Sequence, residues 1–323
     1  MPSASPRNNS VFRVLSGALW PVSLLLGLCV LTFFLTYVAP GDPARIVLGP
    51  TATEQNVNAL RAEMGLNRSV MVQFGQFLRE AVTGRWGVSW LTRQPVLQEI
   101  SSHLRPTISL GFLASIYSIT TALVLNVLAF VFPRLGHLLI PLVRLGIAVP
   151  GFVVSVAAAL GMISLQSVTG ARAGDGILSY AVPALAVALY PTCVMTALLR
   201  DRIADIIGSS FYRAGRASGY SLDGLFLRVL LPNSWSALFT AWVNQISVLV
   251  FSTIVVEYVF SFRGIGALLI RSIQGKDLPV ISGIILLNGL FFLFVHTLSN
   301  VRIRSGAFES SKCEVKPEGI PAP

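Results

Sequence analysis

Residues 106–132 read PTISLGFLASIYSITTALVLNVLAFVF, a run without a charged side chain that stops at Pro133 and Arg134. The hydrocarbon core of a bilayer is about 30 Å thick and a helix rises about 1.5 Å per residue, so about 20 apolar residues cross it. The run is therefore read as a membrane span. Working outward, comparable runs occupy 19–38, 145–168, 177–199, 234–260 and 278–298. Six spans predict an all-α polytopic membrane protein with both termini on one side. The first run is weighed against a signal peptide. It exceeds a usual apolar signal core, and Pro40 directly after Ala39 obstructs cleavage there, so an uncleaved span is expected.

Composition agrees with that reading. Of 323 residues, 54% are hydrophobic and only 12% charged, with a mean hydropathy of +0.72; a soluble surface calls for about a quarter charged. A soluble enzyme, a disordered chain and a disulfide scaffold are thereby excluded. Lys and Arg number 24 against 14 acidic residues, a net charge of +10. No basic run with interleaved aromatics accompanies that excess, so no nucleic-acid partner is expected and the charges are read as topology signals. Cys29 and Cys193 lie in apolar runs and Cys313 in a polar tail, with no disulfide or metal spacing.

Orientation follows from Lys and Arg in the short connections. One side carries Arg7, Arg13, Arg134, Arg144, Arg200, Arg202, Arg213, Arg216, Arg228, Arg302, Arg304, Lys312 and Lys316, a total of 13. The other carries Arg172, Arg263, Arg271 and Lys276, a total of 4. Both termini are expected in the cytoplasm. The resulting plan is a cytoplasmic N-terminus at 1–18, a first transmembrane helix at 19–39 and an external helical loop at 40–105. A five-helix core follows at 106–300 with a cytoplasmic loop at 200–233, and 301–323 forms a disordered cytoplasmic tail.

The external segment has helical signals of its own. Thr51-Ala52-Thr53-Glu54 reads as a capping box, followed by Val57, Leu60 and Met64 at helical spacing and Gly65 as the stop. A second amphipathic helix carries Val70, Phe74, Phe77, Leu78 and Ala81 and stops at Gly84. These helices form a docking lid, or alternatively lie on the bilayer surface.

The cytoplasmic loop before the fifth span is the most informative stretch. Small residues Ala214, Gly215 and Ala217 make a short helix with a flat face that another protein can approach, Gly219 is suited to end it, and Ser221 to cap the next. That next helix places Leu222, Leu225, Phe226, Val229 and Leu230 on one stripe, and Pro232 is expected to break it.

Arg213-Ala214-Gly215, then Gly219, then Val229-x-Leu231-Pro232 resembles the EAA loop of ABC-importer permeases, in particular the branch that handles peptides, nickel and opines. Arg213 stands where the general motif has Glu, and Gly215 where it has Ala. The resemblance continues along nearly the whole chain. It includes Gly41-Asp42-Pro43-Ala44, Gly65-Leu66-Asn67, Arg105-Pro106-Thr107, Val149-Pro150-Gly151-Phe152, Glu257-Tyr258-Val259-Phe260, Gly264-Ile265-Gly266 and Asp277-Leu278-Pro279-Val280-Ile281. Two segments depart from the branch, Gly84-Arg85-Trp86-Gly87-Val88-Ser89 and Ser299-Asn300-Val301-Arg302-Ile303-Arg304. Trp86-Gly87-Val88-Ser89 is similar to nickel-type permeases, and Arg216-Ala217-Ser218-Gly219 to metallophore-type ones.

The resemblance implies a type I ABC-importer permease fold in a bacterial cytoplasmic (inner) membrane. It also implies a second permease subunit, ATPase subunits in the cytoplasm and an external substrate-binding protein. Arg213, Ala214, Gly215, Arg216, Ala217, Gly219, Leu231 and Pro232 would form the ATPase-coupling loop, and the cargo would be oligopeptides, nickel, or a metallophore or opine-like chelate.

No phosphate-binding loop is present in the chain, so ATP is expected on a partner subunit and no cofactor or catalytic residue here. His103, His137 and His296 are dispersed, which argues against a metal site. Glu257 is the carboxylate that lies inside an apolar run, and an ionisable group there needs a partner or a wet cavity. It is read as structural, gating or substrate-contacting. Asn244 and Gln245 join it as pathway candidates, and with Asn126 and Asn288 they equally suit bonds between helices. An ion-coupled secondary transporter and a membrane scaffold are the alternatives from other classes.

Overall fold

The computed structural model describes residues 23–34, 41–169 and 180–310. Regular structure among them is helical, apart from one antiparallel bridge between Val88 and Pro95. Among the described residues four helices are long and apolar enough to cross a membrane, and a broken pair makes a fifth if it is one span. Of the expected first span, Ser23–Phe34 (α1) is described as helix. The expected cytoplasmic N-terminus, the start of the fourth span and residues 311–323 of the tail lie outside the described residues.

The chain divides into two compact units, one drawn from 1–113, 151–187 and 250–291, the other from 114–150, 188–249 and 292–323. The first unit contains the helices that precede the second span. Helix α2 (Pro43–Leu48) is capped by Asp42, whose carboxylate accepts from the Ala44 amide at 3.1 Å and also pairs with Arg61 of α3 (Glu54–Glu63). The cap of α3 is Thr53, accepting from the Asn56 amide, and Glu54 is already helical. Glu54 therefore turns away from the capping box expected of Thr51 and pairs with Arg45 instead. The apolar face of α4 (Val70–Thr83) sets Phe74 and Phe77 on Phe33 of α1, ring centres 5.2 and 5.8 Å apart.

Helix α5 (Val96–Val131) begins at Val96 rather than at Pro106, and Pro106 sits inside it. The added turns hold because Val96 and Ile100 are buried against Ile265, Leu268, Val280 and Ile284. A loop expected from its polar residues is thus recruited into helix by an i, i+4 apolar pair that finds a core.

Asp277 fastens the segment just before α5. Its carboxylate accepts from the Ser89 hydroxyl and from the Trp90 and Leu91 amides, the Trp90 bond at 3.1 Å, while being 2% exposed. Bonds to a buried carboxylate contribute about 1.5–3 kcal/mol each. Asp277→Ala is expected to speed trypsin cleavage after the neighbouring Arg93 about tenfold or more in the intact transporter. Cleavage at the wild-type rate would show that the loop is held by something else.

The third expected span, 145–168, is cut by a break at Val149 and Pro150 that separates α6 (Pro133–Ala148) from α7 (Gly151–Thr169). Proline supplies no amide and its ring crowds the preceding turn, which accounts for the break. Helix α8 (Ala181–Ile207), which belongs to the second unit from Ala188 onward, runs beyond the expected end at residue 199. Its Met195, Leu199, Ile203 and Ile206 form a core with Ala122 of α5 and with the loop described next. The last helix, α13 (Leu278–Ser310), extends into the region expected to be a disordered tail.

Candidate functional site

Helix α9 (Ser210–Ala217) is opened by Ser209, whose hydroxyl accepts from the Tyr212 amide at 3.4 Å. It closes with a Schellman pair: Gly219 N–H reaches the Arg216 carbonyl and Tyr220 N–H the Gly215 carbonyl. Gly219 takes φ +79°, with open space where a side chain would go. Ser221 then caps α10 (Leu222–Leu225) by accepting from the Gly224 amide at 3.2 Å.

The small residues of α9 divide their work. Tyr212 and Gly215 are buried; Phe211, Arg213, Ala214, Arg216 and Ala217 are exposed. A Cβ on Gly215 would stand 3.2 Å from Leu225 and 3.4 Å from Val229. Gly215 therefore lets α9 lie close on its own following helix, and it does not belong to an outward flat face as expected. Ala214, Ala217 and the two arginines are left to present outward. Arg228 covers the Tyr220 ring at 5.7 Å.

Pro232 does not break the helix. Residues Phe226–Leu230 form a π-turn, Leu231 donates back to the Phe226 carbonyl, and α11 (Leu231–Val259) continues without a gap. Pro232, which has no N–H, falls where the ladder steps from five-residue to four-residue bonding, so its missing donor is tolerated. The Asn233 side-chain amide donates to the Val229 carbonyl at 2.7 Å. Leu225, Phe226, Val229 and Leu230 are buried with Tyr212 against α8, and Phe226 meets Phe130 at 5.7 Å; Leu222 is exposed, outside the expected stripe. Leu231 is half-buried and Pro232 exposed.

In the first unit Glu257 is fully buried. Helix α12 (Ile265–Gln274) starts at Gly264, which brings no capping side chain. Its first amides are served from elsewhere: Ile265 N–H donates to the Thr107 hydroxyl at 2.9 Å, and Gly266 and Ala267 donate to Glu257 Oε2 at 2.7 and 3.3 Å. A helix start away from water needs such acceptors, and its positive dipole end suits a carboxylate. A Cβ on Gly264 would overlap the Glu257 carboxyl, and one on Gly266 would overlap the Ile254 backbone. Glu257, Gly264 and Gly266 thus make one packed lock. Sequence reading singled out Glu257 and missed its partners; the signal was a glycine pair following at i+7 and i+9.

Gln245 is buried with Oε1 lacking a partner among the described residues, and Asn244 is exposed. Both belong to the second unit, so the structure defines no site joining them to Glu257. A cavity of about 470 Å³ in the first unit is lined by Asp42, Arg61, Gln73, Glu80, Trp86 and others. Its polar groups are engaged with one another: Arg61 with Asp42, Gln73 with the Leu66 and Arg68 carbonyls, Trp86 with the Ala81 carbonyl.

Comparison with known proteins places these features in a class. Residues 118–304 match the family model described as binding-protein-dependent transport system inner membrane component, and 11–111 match the one for its N-terminal part. The chain is 30% identical over 299 residues to the glutathione transport system permease protein GsiC of Salmonella paratyphi A (strain ATCC 9150 / SARB42), covering 89% of this chain and 95% of that protein. It is 31% identical over 281 residues to GsiC of Escherichia coli (strain K12), with 84% and 90% covered. A solved structure titled "Crystal structure of an amino acid ABC transporter with histidines" matches with a TM-score of 0.52 at 18% identity, over 65% of this chain and 94% of that one, and supports the fold.

The class is a multi-pass inner-membrane permease subunit of an ABC importer. The chain belongs to the family of binding-protein-dependent transport system inner membrane components.

Proposed function

We propose that the chain forms half of the translocation pathway for a short peptide, paired with a second permease subunit and supplied by an external binding protein. ATP is bound and hydrolysed by separate cytoplasmic subunits, and both termini lie in the cytoplasm, as the 13-to-4 distribution of basic residues supports. Arg213, Ala214, Arg216 and Ala217 face the ATPase. Tyr212 and Gly215 weld α9 to the following helix, and Gly219, Leu231 and Pro232 shape the turns around it. Movement of the ATPase pair is thereby passed to α11 as a rigid push.

The observation that carries the peptide reading is the near full-length likeness to permeases named for glutathione transport, since glutathione is a tripeptide. The nickel-type likeness at Trp86 to Ser89 weighs less, because Ser89 is engaged with Asp277. Among the described residues no three His, Cys, Asp or Glu gather as metal ligands.

The test is uptake by cells carrying the full transporter in a background lacking other peptide and nickel importers. Labelled glutathione or dipeptide is expected to enter in an ATP-dependent way, with nickel uptake at background. Nickel entry without peptide entry would reverse the substrate assignment. Uptake that collapses with the ion gradient while ATP is maintained would point to a secondary transporter.

A further inference from the structure

The apolar part of α8 ends at Arg200, which is followed by Asp201 and Arg202. Charged groups are costly at the bilayer centre and settle at its surface, so Arg200 marks the level of the lipid headgroups. At that level the second unit holds a pocket of about 180 Å³ between α5, α6 and α8. Arg144 and Arg200 both line it, and Leu125, Ile140 and Val143 are among its apolar walls.

The polar wall of the pocket is already committed. The Asn126 amide donates to the Ala122 and Thr196 carbonyls at 2.9 and 3.2 Å, and the Thr196 hydroxyl donates to the Thr192 carbonyl at 2.6 Å. The two guanidinium groups are different: among the described residues neither is in a hydrogen bond or an ion pair. Asp201 is the acidic residue in the lining, so the pocket keeps a net positive charge. Two planar guanidinium donors over an aliphatic floor match a phosphate group attached to apolar chains.

We propose that Arg144 and Arg200 bind a phosphate group at the membrane surface, carried by an anionic phospholipid whose glycerol and upper acyl chain rest on Leu125, Ile140 and Val143. The site is independent of the transported substrate and of the coupling loop. It gives the permease a bound lipid between α6, ahead of the Pro150 break, and α8, which packs on the coupling loop.

The experiment uses the assembled transporter, purified in mild detergent and reconstituted with phosphatidylglycerol and phosphatidylethanolamine. Native mass spectrometry counts the lipid retained. Wild type is expected to hold phosphatidylglycerol in preference to phosphatidylethanolamine, and the R144Q/R200Q double variant to hold at least tenfold less. Arg144→Lys with Arg200→Lys keeps the charge and is expected to be intermediate, which covers the case in which the glutamine variant fails to assemble. Arg202→Gln, exposed on the same helix end and outside the pocket, removes a charge and is expected to leave retention unchanged. Millimolar inorganic phosphate is the second arm: no displacement assigns the phosphate to lipid, whereas displacement supports the two-arginine site but assigns it to a soluble anion. Equal lipid retention by wild type and R144Q/R200Q, with no phosphate competition in either, overturns the proposal.

Discussion

Valine in place of Gly266 is expected to remove the protein from the membrane fraction. A Cβ at this position overlaps the Ile254 backbone, which no rotamer change relieves, and stands 2.9 Å from Glu257 Oε2, which can move aside only by giving up its bonds to α12. Overpacking a close-packed site costs about 1–3 kcal/mol when side chains alone must shift, and more when a helix backbone is the obstacle. Forcing α12 away also takes its Gly266 and Ala267 amides off the Glu257 carboxylate, and each such bond contributes about 1.5–3 kcal/mol. Together these approach the whole stability of an ordinary domain, about 5–15 kcal/mol.

Quantitative immunoblotting of membranes checks this, and the same lock predicts an order. Gly266→Val is the most damaging change. Glu257→Ala is next, since it strands two amides without a clash. Glu257→Gln is mildest, because the side-chain carbonyl still accepts. Wild-type abundance of Gly266→Val would show that Glu257 and α12 are not locked in the membrane as described.

Valine at Gly219 acts on a different quantity. Open space surrounds the missing side chain, so the expected cost is conformational: φ +79° is a left-handed geometry that a β-branched residue strongly resists. The turn then opens, and with it the Schellman bonds from Gly219 and Tyr220. The contact of Gly215 with Leu225 and Val229 loosens, and α9 no longer moves as one body with the following helix. Most of the buried core around Met195, Leu199 and Leu230 is contributed by α8 and by residues 225–241, away from the turn itself. The protein is therefore expected to reach the membrane at normal abundance while ATP-dependent uptake is lost. Asn at 219, which tolerates the left-handed region, is expected to keep substantial uptake. Full transport by the valine variant would remove the coupling role assigned to this loop.

Gly266 and Gly219 also mark where sequence reading succeeded and where it stopped. Gly219 was legible because a helix stop followed by a Ser cap is written within a few neighbouring residues. The same local chemistry placed the ends of α3 and α4 at Gly65 and Gly84. Pro232 misled because its effect depends on the ladder around it: in a regular helix it breaks, and after a π-turn it does not. Gly215 misled for a related reason. Small size permits close approach, but the sequence does not say whether the approaching group is another protein or Leu225 of the same chain.

The sequence by itself determined the membrane-spanning class, the expected orientation and the position of the loop proposed to meet the ATPase. Hydrophobicity adds up along the chain, caps act over three or four residues, and charge bias is a sum over short loops. Only the tertiary structure decided what Glu257 and Asp277 do. Thr107 meets Ile265 across 158 positions, and Asp277 meets Ser89 across 188. A buried carboxylate must find donors, but which donors is settled when distant helices pack and their unpaired amides are left facing it.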